Sequence, residues 1–136
     1  MSHVQISEIN KSFDDNLVLE NINLEIKDGE FLVLVGASGC GKSTLLRLIA
    51  GLEHQDQGSI SINGNNVDAV QPSKRDVAMV FQNYALYPHL SVYDNMAFGL
   101  KQRKIAQSEI EGKIQGTAEI LKINKLLDRL PKTLSG

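Results

Sequence analysis

Residues 36–44 read Gly-Ala-Ser-Gly-Cys-Gly-Lys-Ser-Thr, which puts Gly36, Gly41, Lys42 and Ser43 at the four fixed places of the pattern G-x-x-x-x-G-K-S. The pattern constrains the fold because it works only between a strand that delivers the chain and a helix whose first N–H groups face an anion. Both flanks are legible. Phe31-Leu32-Val33-Leu34-Val35 is a continuous apolar run, as expected of a parallel strand buried on both faces. Leu45, Leu48, Ile49 and Leu52 recur at helical spacing, with Arg47 on the opposite side and Gly51 as a stop, which predicts a helix.

Each residue of the loop has a chemical reason to be there. Gly36, Gly39 and Gly41 permit backbone angles and close approaches that side chains would block. Lys42 brings a mobile point charge to terminal phosphates, and the Ser43 hydroxyl suits one position of an octahedral magnesium shell. Ala37, Ser38, Cys40 and Thr44 are expected to act through their backbone N–H groups. Cys40 is otherwise a loop passenger, although its thiol sits near a helix N-terminus and a lysine.

The chain has 136 residues, the size of one domain with a real core. Fourteen Lys and Arg against sixteen Asp and Glu leave a net charge of -2, so there is no basic footprint for nucleic acid. Lys101-Gln102-Arg103-Lys104 is a local positive run that reads as a solvated helix end or loop. A single cysteine makes no internal disulfide, which suits a reducing compartment. Without a signal pattern or a membrane-length apolar run, the expectation is a cytoplasmic protein able to dock on a membrane partner.

Along the chain, Val4 and Ile6, then Ile22, Leu24 and Ile26, alternate with polar residues before the turn signal Asp28-Gly29, which predicts β structure. Ser59-Ile60-Ser61-Ile62 runs into Asn63-Gly64, a strong tight-turn dipeptide. Together these pieces predict a small antiparallel layer. Val77-Ala78-Met79-Val80-Phe81 is a candidate second core strand ending at Gln82. Beyond it, Ser91 with Asp94 and Ser108 with Glu111 are helix start signals. Ile110, Ile114, Ala118 and Leu121 form an apolar stripe on the longer helix, where Glu109 and Lys113 are spaced to pair. Residues 92–131 therefore read as a helical subdomain. Leu126-Leu127-Asp128, with Pro131 after it, reads as a helix end rather than a strand, and His3, His54 and His89 lack ligand spacing.

Together with the phosphate loop, three further stretches resemble the ATP-binding subunit of an ATP-binding cassette (ABC) transporter, and the likeness runs from end to end. Phe81-Gln82 followed by Asn83-Tyr84-Ala85-Leu86-Tyr87-Pro88-His89-Leu90-Ser91-Val92 resembles the Q-loop region of importer ATPases. Leu134-Ser135-Gly136 resembles the opening of a signature that the family continues as Leu-Ser-Gly-Gly-Gln, and Leu127-Asp128-Arg129-Leu130-Pro131 precedes it. Tyr84–Val92 and Asn95-Met96-Ala97-Phe98-Gly99-Leu100 are most similar to sugar importers of the maltose and glycerol-phosphate type.

The resemblance implies an α/β fold: a P-loop NTPase (RecA-like) core, incomplete in this chain, with an N-terminal antiparallel β layer and a helical subdomain. It divides the chain into residues 1–91, holding β layer, core and Q-loop, and 92–136, the helical subdomain up to the signature. ATP and Mg2+ are the implied cofactors. Phe13 takes the place of the aromatic that stacks on adenine, unless it only fills a gap under the β layer. Gln82 takes the place of the residue that senses magnesium and the terminal phosphate and couples the site to transmembrane permease subunits, unless it is only a polar strand end. Lys42 and Gln82 are the catalytic candidates in the chain, and Ser43 and Gln82 the magnesium ligands.

Ser135 and Gly136 would act in trans on the ATP of a second copy in a head-to-tail pair, or else form an exposed terminal stub. The implied function is ATP binding and, in the complete protein, hydrolysis that energises solute import, on the inner face of the cell membrane. A sugar is the expected cargo, reaching the permease through a substrate-binding protein. The family's catalytic glutamate and switch histidine lie beyond these residues, so the chain is expected to be a fragment, inactive alone. Three other readings stand beside this one. A soluble P-loop kinase would account for the loop alone, a cassette protein acting on nucleic acid lacks its basic surface, and a non-catalytic nucleotide-binding fragment fits the chain by itself.

Overall fold

The computed structural model describes residues 3–82 and 85–134. They fall into two compact units, Met1–Met79 and Val80–Gly136. The first is built on a four-stranded antiparallel sheet of order β2-β1-β3-β4, with β1 at Val4–Phe13, β2 at Asn16–Ile26, β3 at Gln57–Ile62 and β4 at Asn65–Asn66. The alternation read in the sequence is the pleat of this sheet. Val4, Ile6, Ile60 and Ile62 turn inward, and register pairs Ile6 with both Leu24 and Ile60.

Irregularities in β1 are answered by asparagine side chains. Glu8 takes a positive φ of 52° where the β1 register shifts, and its N–H donates to Asn23 Oδ1 at 2.9 Å. Asn21, with φ of 46°, donates its N–H to Asn10 Oδ1 at 2.9 Å. Each bond replaces a ladder contact that the bulge interrupts.

Helix α1, Lys42–Ala50, follows the glycine loop and buries Leu45 and Leu48 against the sheet's inner face, with Ala50 buried at its end. Full burial of a leucine is worth about 1.5–3 kcal/mol, so Leu45 and Leu48 supply most of the docking energy. The helix ends at Ala50, at the expected Gly51 stop, and the apolar spacing runs past it to Leu52. Gly51 turns left-handed at φ 74° and its N–H returns to Arg47 and Leu48 carbonyls, leaving Leu52 outside the helix and 45% exposed.

Two expected core strands are not strands among the described residues. Residues 31–35 and 77–81 carry no ladder, and Phe31 and Val35 are 90% and 89% exposed. Both segments still alternate. Leu34 and Val77 pack on the sheet's core from one side, whereas Val33 and Val80 face outward. A strand needs neighbours for its N–H and C=O groups, and neither run has one within these residues.

The second unit packs α2, Val92–Gln102, against α3, Gln107–Leu121. Ser91 caps α2, its hydroxyl accepting from Asp94 N–H at 3.0 Å, and Lys101 closes on Asp94 at 3.0 Å. Ala97, Ile110, Ile114, Ala118 and Leu127 form the core. The Glu109–Lys113 pair forms at 2.7 Å. Two local expectations fail here. Helix α3 starts at Gln107 after Ala106, so Ser108 lies inside the first turn and Glu111 accepts from Gln107 Nε2 at 3.0 Å instead of closing a capping box. The stripe ends at Ala118, because Leu121 at the last turn is 59% exposed. Residues 124–126 and 131–133 are short 3-10 turns, consistent with a helix-end reading of Leu126-Leu127-Asp128.

Candidate functional site

The glycine loop opens onto α1 through Gly41, the helix N-cap, at φ 90°. A β-carbon there would come 2.7 Å from Leu19 Cδ2 and 3.0 Å from the Val18 carbonyl oxygen, so both conformation and space demand glycine. The first helical bond from the cap runs from Leu45 N–H to Gly41 O at 2.9 Å, no side chain caps the helix, and no acidic residue sits in its first turn. The N-terminal dipole of α1 is thus neither capped nor neutralised by a side chain.

Lys42 folds into the loop that precedes it. Its ammonium donates to Gly36 O at 2.8 Å and Ala37 O at 2.7 Å and lies 3.4 Å from Cys40 Sγ. Ammonium and helix terminus therefore put positive charge on the same small loop, the arrangement an oxyanion requires. Ser38 and Gly39 form the exposed bend, Gly39 at φ 81° with open space around its α-carbon. Ser43 is exposed and Thr44 half-buried in the first turn of α1, and the Cys40 thiol is exposed.

Phe13 lies in the same unit, at the end of β1, where it pairs in register with Asn16. Asn16 is two residues from Val18, whose carbonyl abuts Gly41. Phe13 is 42% exposed, with Lys11 Nζ 5.0 Å from its centroid.

Lys11 itself is nearly buried and is held by two acids from the turn after α1, Glu53 Oε1 and Asp56 Oδ1, each at 3.3 Å. Burial works to lower its pKa, but the bonds to Glu53 and Asp56 outweigh burial and hold it above 10.5. The Glu53 carboxyl lies below its ordinary 4.5, through the His54 N–H first and then Lys11; Asp56 lies below 3.8, through the Ser12 N–H first. Depressed carboxyl values contribute stability that is complete above the unfolded values and lost as pH falls through the folded ones. The melting temperature of this unit should therefore drop on acidification below the ordinary range of 4.5 to 3.8, and Asp56→Asn should flatten that drop; an identical pH profile for the variant would refute the assignment.

The far end of α1 is held by a residue with no local sequence signal. Arg75 is 4% exposed and donates to the carbonyls of Leu48 at 2.8 Å, Ile49 at 3.2 Å, Val70 at 2.9 Å and Asp68 at 3.4 Å. Burial draws its pKa below the ordinary arginine value while Asp68 opposes that shift. The guanidinium serves the carbonyl end of α1, as a cation at a helix C-terminus should. A β-carbon on Gly51 would meet Arg75 Nε at 2.5 Å, so the glycine stop also makes room for the clamp.

Of the sequence-predicted residues, Phe13 and 36–44 share the first unit, Gln82 is an exposed turn residue of the second, and Ser135 and Gly136 lie outside the described residues. Lys11, Glu53, Asp56 and Arg75 escaped sequence reasoning because the contacts that define them cross long stretches of chain, 45 positions for Lys11 with Asp56 and 27 and 26 for Arg75 with Leu48 and Ile49. Among the described residues no group of three His, Cys, Asp or Glu is placed for a metal ion, and no helix is long and apolar enough to cross a membrane.

The ABC transporter family model matches residues 19–136. Over its whole length the chain is 52% identical to the sn-glycerol-3-phosphate import ATP-binding protein UgpC of Bordetella avium and 54% identical to the maltose/maltodextrin import ATP-binding protein MalK of Vibrio cholerae. It spans 38% and 36% of the length of those two relatives. In three dimensions it is similar to the dimeric ATP-binding cassette MJ0796 bound to ADP and Pi, with a TM-score of 0.85 at 24% identity over 97% of this chain and 63% of that one. That likeness shows the fold: a P-loop, RecA-like α/β core with an N-terminal antiparallel sheet and a helical subdomain.

Proposed function

This chain belongs to the ABC transporter family, and from that premise we propose that it holds MgATP at residues 36–44 as the ATP-binding part of an import ATPase. The observation that carries the reading is the folded-in Lys42 beside the uncapped N-terminus of α1. Phosphate oxygens offer the ammonium the same acceptor chemistry that Gly36 and Ala37 carbonyls offer now, with full negative charge added. The nucleobase would lie on Phe13.

The residues present also suit magnesium. Ser43 carries a hard oxygen donor, and phosphates and water supply the remaining ligands of such an ion. Bound there, the ion would neutralise charge on the terminal phosphates. Because the chain spans little more than a third of the relatives it matches, hydrolysis, cargo and subunits are proposed for the whole protein. These are a second copy sharing its sites through Ser135 and Gly136, permease subunits reached through Gln82, a substrate-binding protein upstream, and a place on the cytoplasmic face of the membrane. Relatives named for glycerol phosphate and maltodextrin favour a sugar or polyol-phosphate cargo.

The exposed Cys40 thiol, 3.4 Å from Lys42 Nζ, tests the binding step. Alkylation of Cys40 should block nucleotide binding, and MgATP should slow the labelling; equal labelling rates with and without MgATP would overturn the assignment. Disruption of the gene should abolish uptake of a sugar or polyol phosphate, and unimpaired uptake across that class would remove the cargo reading.

A further inference from the structure

The two faces of the Phe13 ring are not equivalent. One carries the Lys11 ammonium, 5.0 Å from the centroid, and Phe13 as a residue keeps 42% of its surface open. Lys11 is not a loose surface lysine. Its ammonium is gripped by Glu53 and Asp56 at 3.3 Å each, and Asp56 also takes the Ser12 N–H at 2.6 Å while giving its own N–H to Asn10 O at 2.9 Å. Four contacts thus lock residues 10–12 of β1 to the turn at 53–56, and that turn begins directly beyond the Gly51 stop of the phosphate-loop helix.

Resting on the nucleotide reading above, we propose that Lys11 is the positioning residue of a purine platform: it occupies one face of Phe13 and leaves only the opposite face to receive the base. A phenyl ring on a strand end has rotamers to lose on stacking, and a cation held over one face removes that freedom beforehand. Glu53 and Asp56 hold the cation, so the distance from base platform to phosphate helix is set by the short turn 51–56 rather than by the hairpin tip at 14–15. The platform recognises an aromatic base through its π-face, whereas the loop at 36–44 recognises phosphate.

These two recognition modes separate experimentally. On the full chain, affinities for ATP and for inorganic tripolyphosphate, which has no base, are compared in wild type, Lys11→Met, Lys11→Arg and Phe13→Ala. A cation–π contact near the surface is worth about 0.5–1 kcal/mol, so Lys11→Met should weaken ATP about two- to fivefold. Tripolyphosphate binding should not change, and Lys11→Arg should restore ATP. Phe13→Trp supplies the only tryptophan in the sequence, and adding Lys11→Met to it should shift the emission of the free protein. Parallel loss of ATP and tripolyphosphate would mean that Lys11 only supports the fold and would overturn the proposal. ATP affinity untouched by Lys11→Met while Phe13→Ala loses it would also overturn the Lys11 role and leave the stacking role of Phe13 intact. A wild-type chain that binds neither ligand would instead sink the nucleotide reading itself.

Discussion

Lys42→Ala should lower MgATP affinity about a hundredfold while leaving the melting temperature nearly unchanged. The ammonium makes charge-assisted bonds worth roughly 2–3 kcal/mol when its acceptors are phosphates, and that energy corresponds to about two decades in Kd. Stability is spared because the Lys42 bonds to Gly36 and Ala37 carbonyls are exposed, so water replaces them. Lys42→Arg is the informative control. It keeps the charge, but a planar fork differs in shape from the compact ammonium that fits between two carbonyls of one turn, so affinity should stay well below wild type. An unchanged MgATP affinity in Lys42→Ala, measured by calorimetry, would remove the phosphate assignment.

Arg75→Leu should have the largest effect on stability in the first unit, about 3 kcal/mol. Its guanidinium spans two carbonyls at the end of α1 and two in the 68–70 segment. Removing it strands buried acceptors and leaves a void where the planar group was. For a chain of this size the loss is on the order of 10 °C in Tm. Arg75→Lys should recover only part of it, because one ammonium does not reach both carbonyl pairs. A Tm for Arg75→Leu within about 2 °C of wild type would show that water serves those carbonyls equally well.

Neither residue was equally visible beforehand. Lys42 stands in a nine-residue pattern whose chemistry is local: glycine conformations, one charge and a helix start. Arg75 has no such frame, since its acceptors at Leu48 and Ile49 are 27 and 26 residues away. The same distinction runs through the fold. Helix α1, the Ser91 cap and the turns at 28–29 and 63–64 each depend on a few consecutive residues, and they stand where pattern and turn chemistry put them. The capping box at Ser108 failed for a reason that is still local: Ala106 in extended conformation let the helix begin at Gln107, and Glu111 found a nearer partner.

Residues 31–35 and 77–81 mark the limit of pattern reading. Their hydrophobicity correctly signals a segment made for burial, and Leu34 and Val77 do pack on the core. Whether such a segment becomes a strand depends on neighbours that its own residues do not encode, and the exposed faces of Phe31, Val35 and Val80 record that dependence.

By itself, then, the sequence determined the phosphate loop and its helix, the antiparallel alternation of the first unit, the helical character of the second, and the family. All of these follow from interactions within about one turn or one hairpin. The tertiary structure alone decided that Arg75 clamps α1, that the bulges of β1 are answered by Asn10 and Asn23, and that Lys11 covers one face of Phe13 under the hold of Glu53 and Asp56. Those contacts join residues brought together by packing, and hydrophobic pattern carries no information about which buried polar group will meet which.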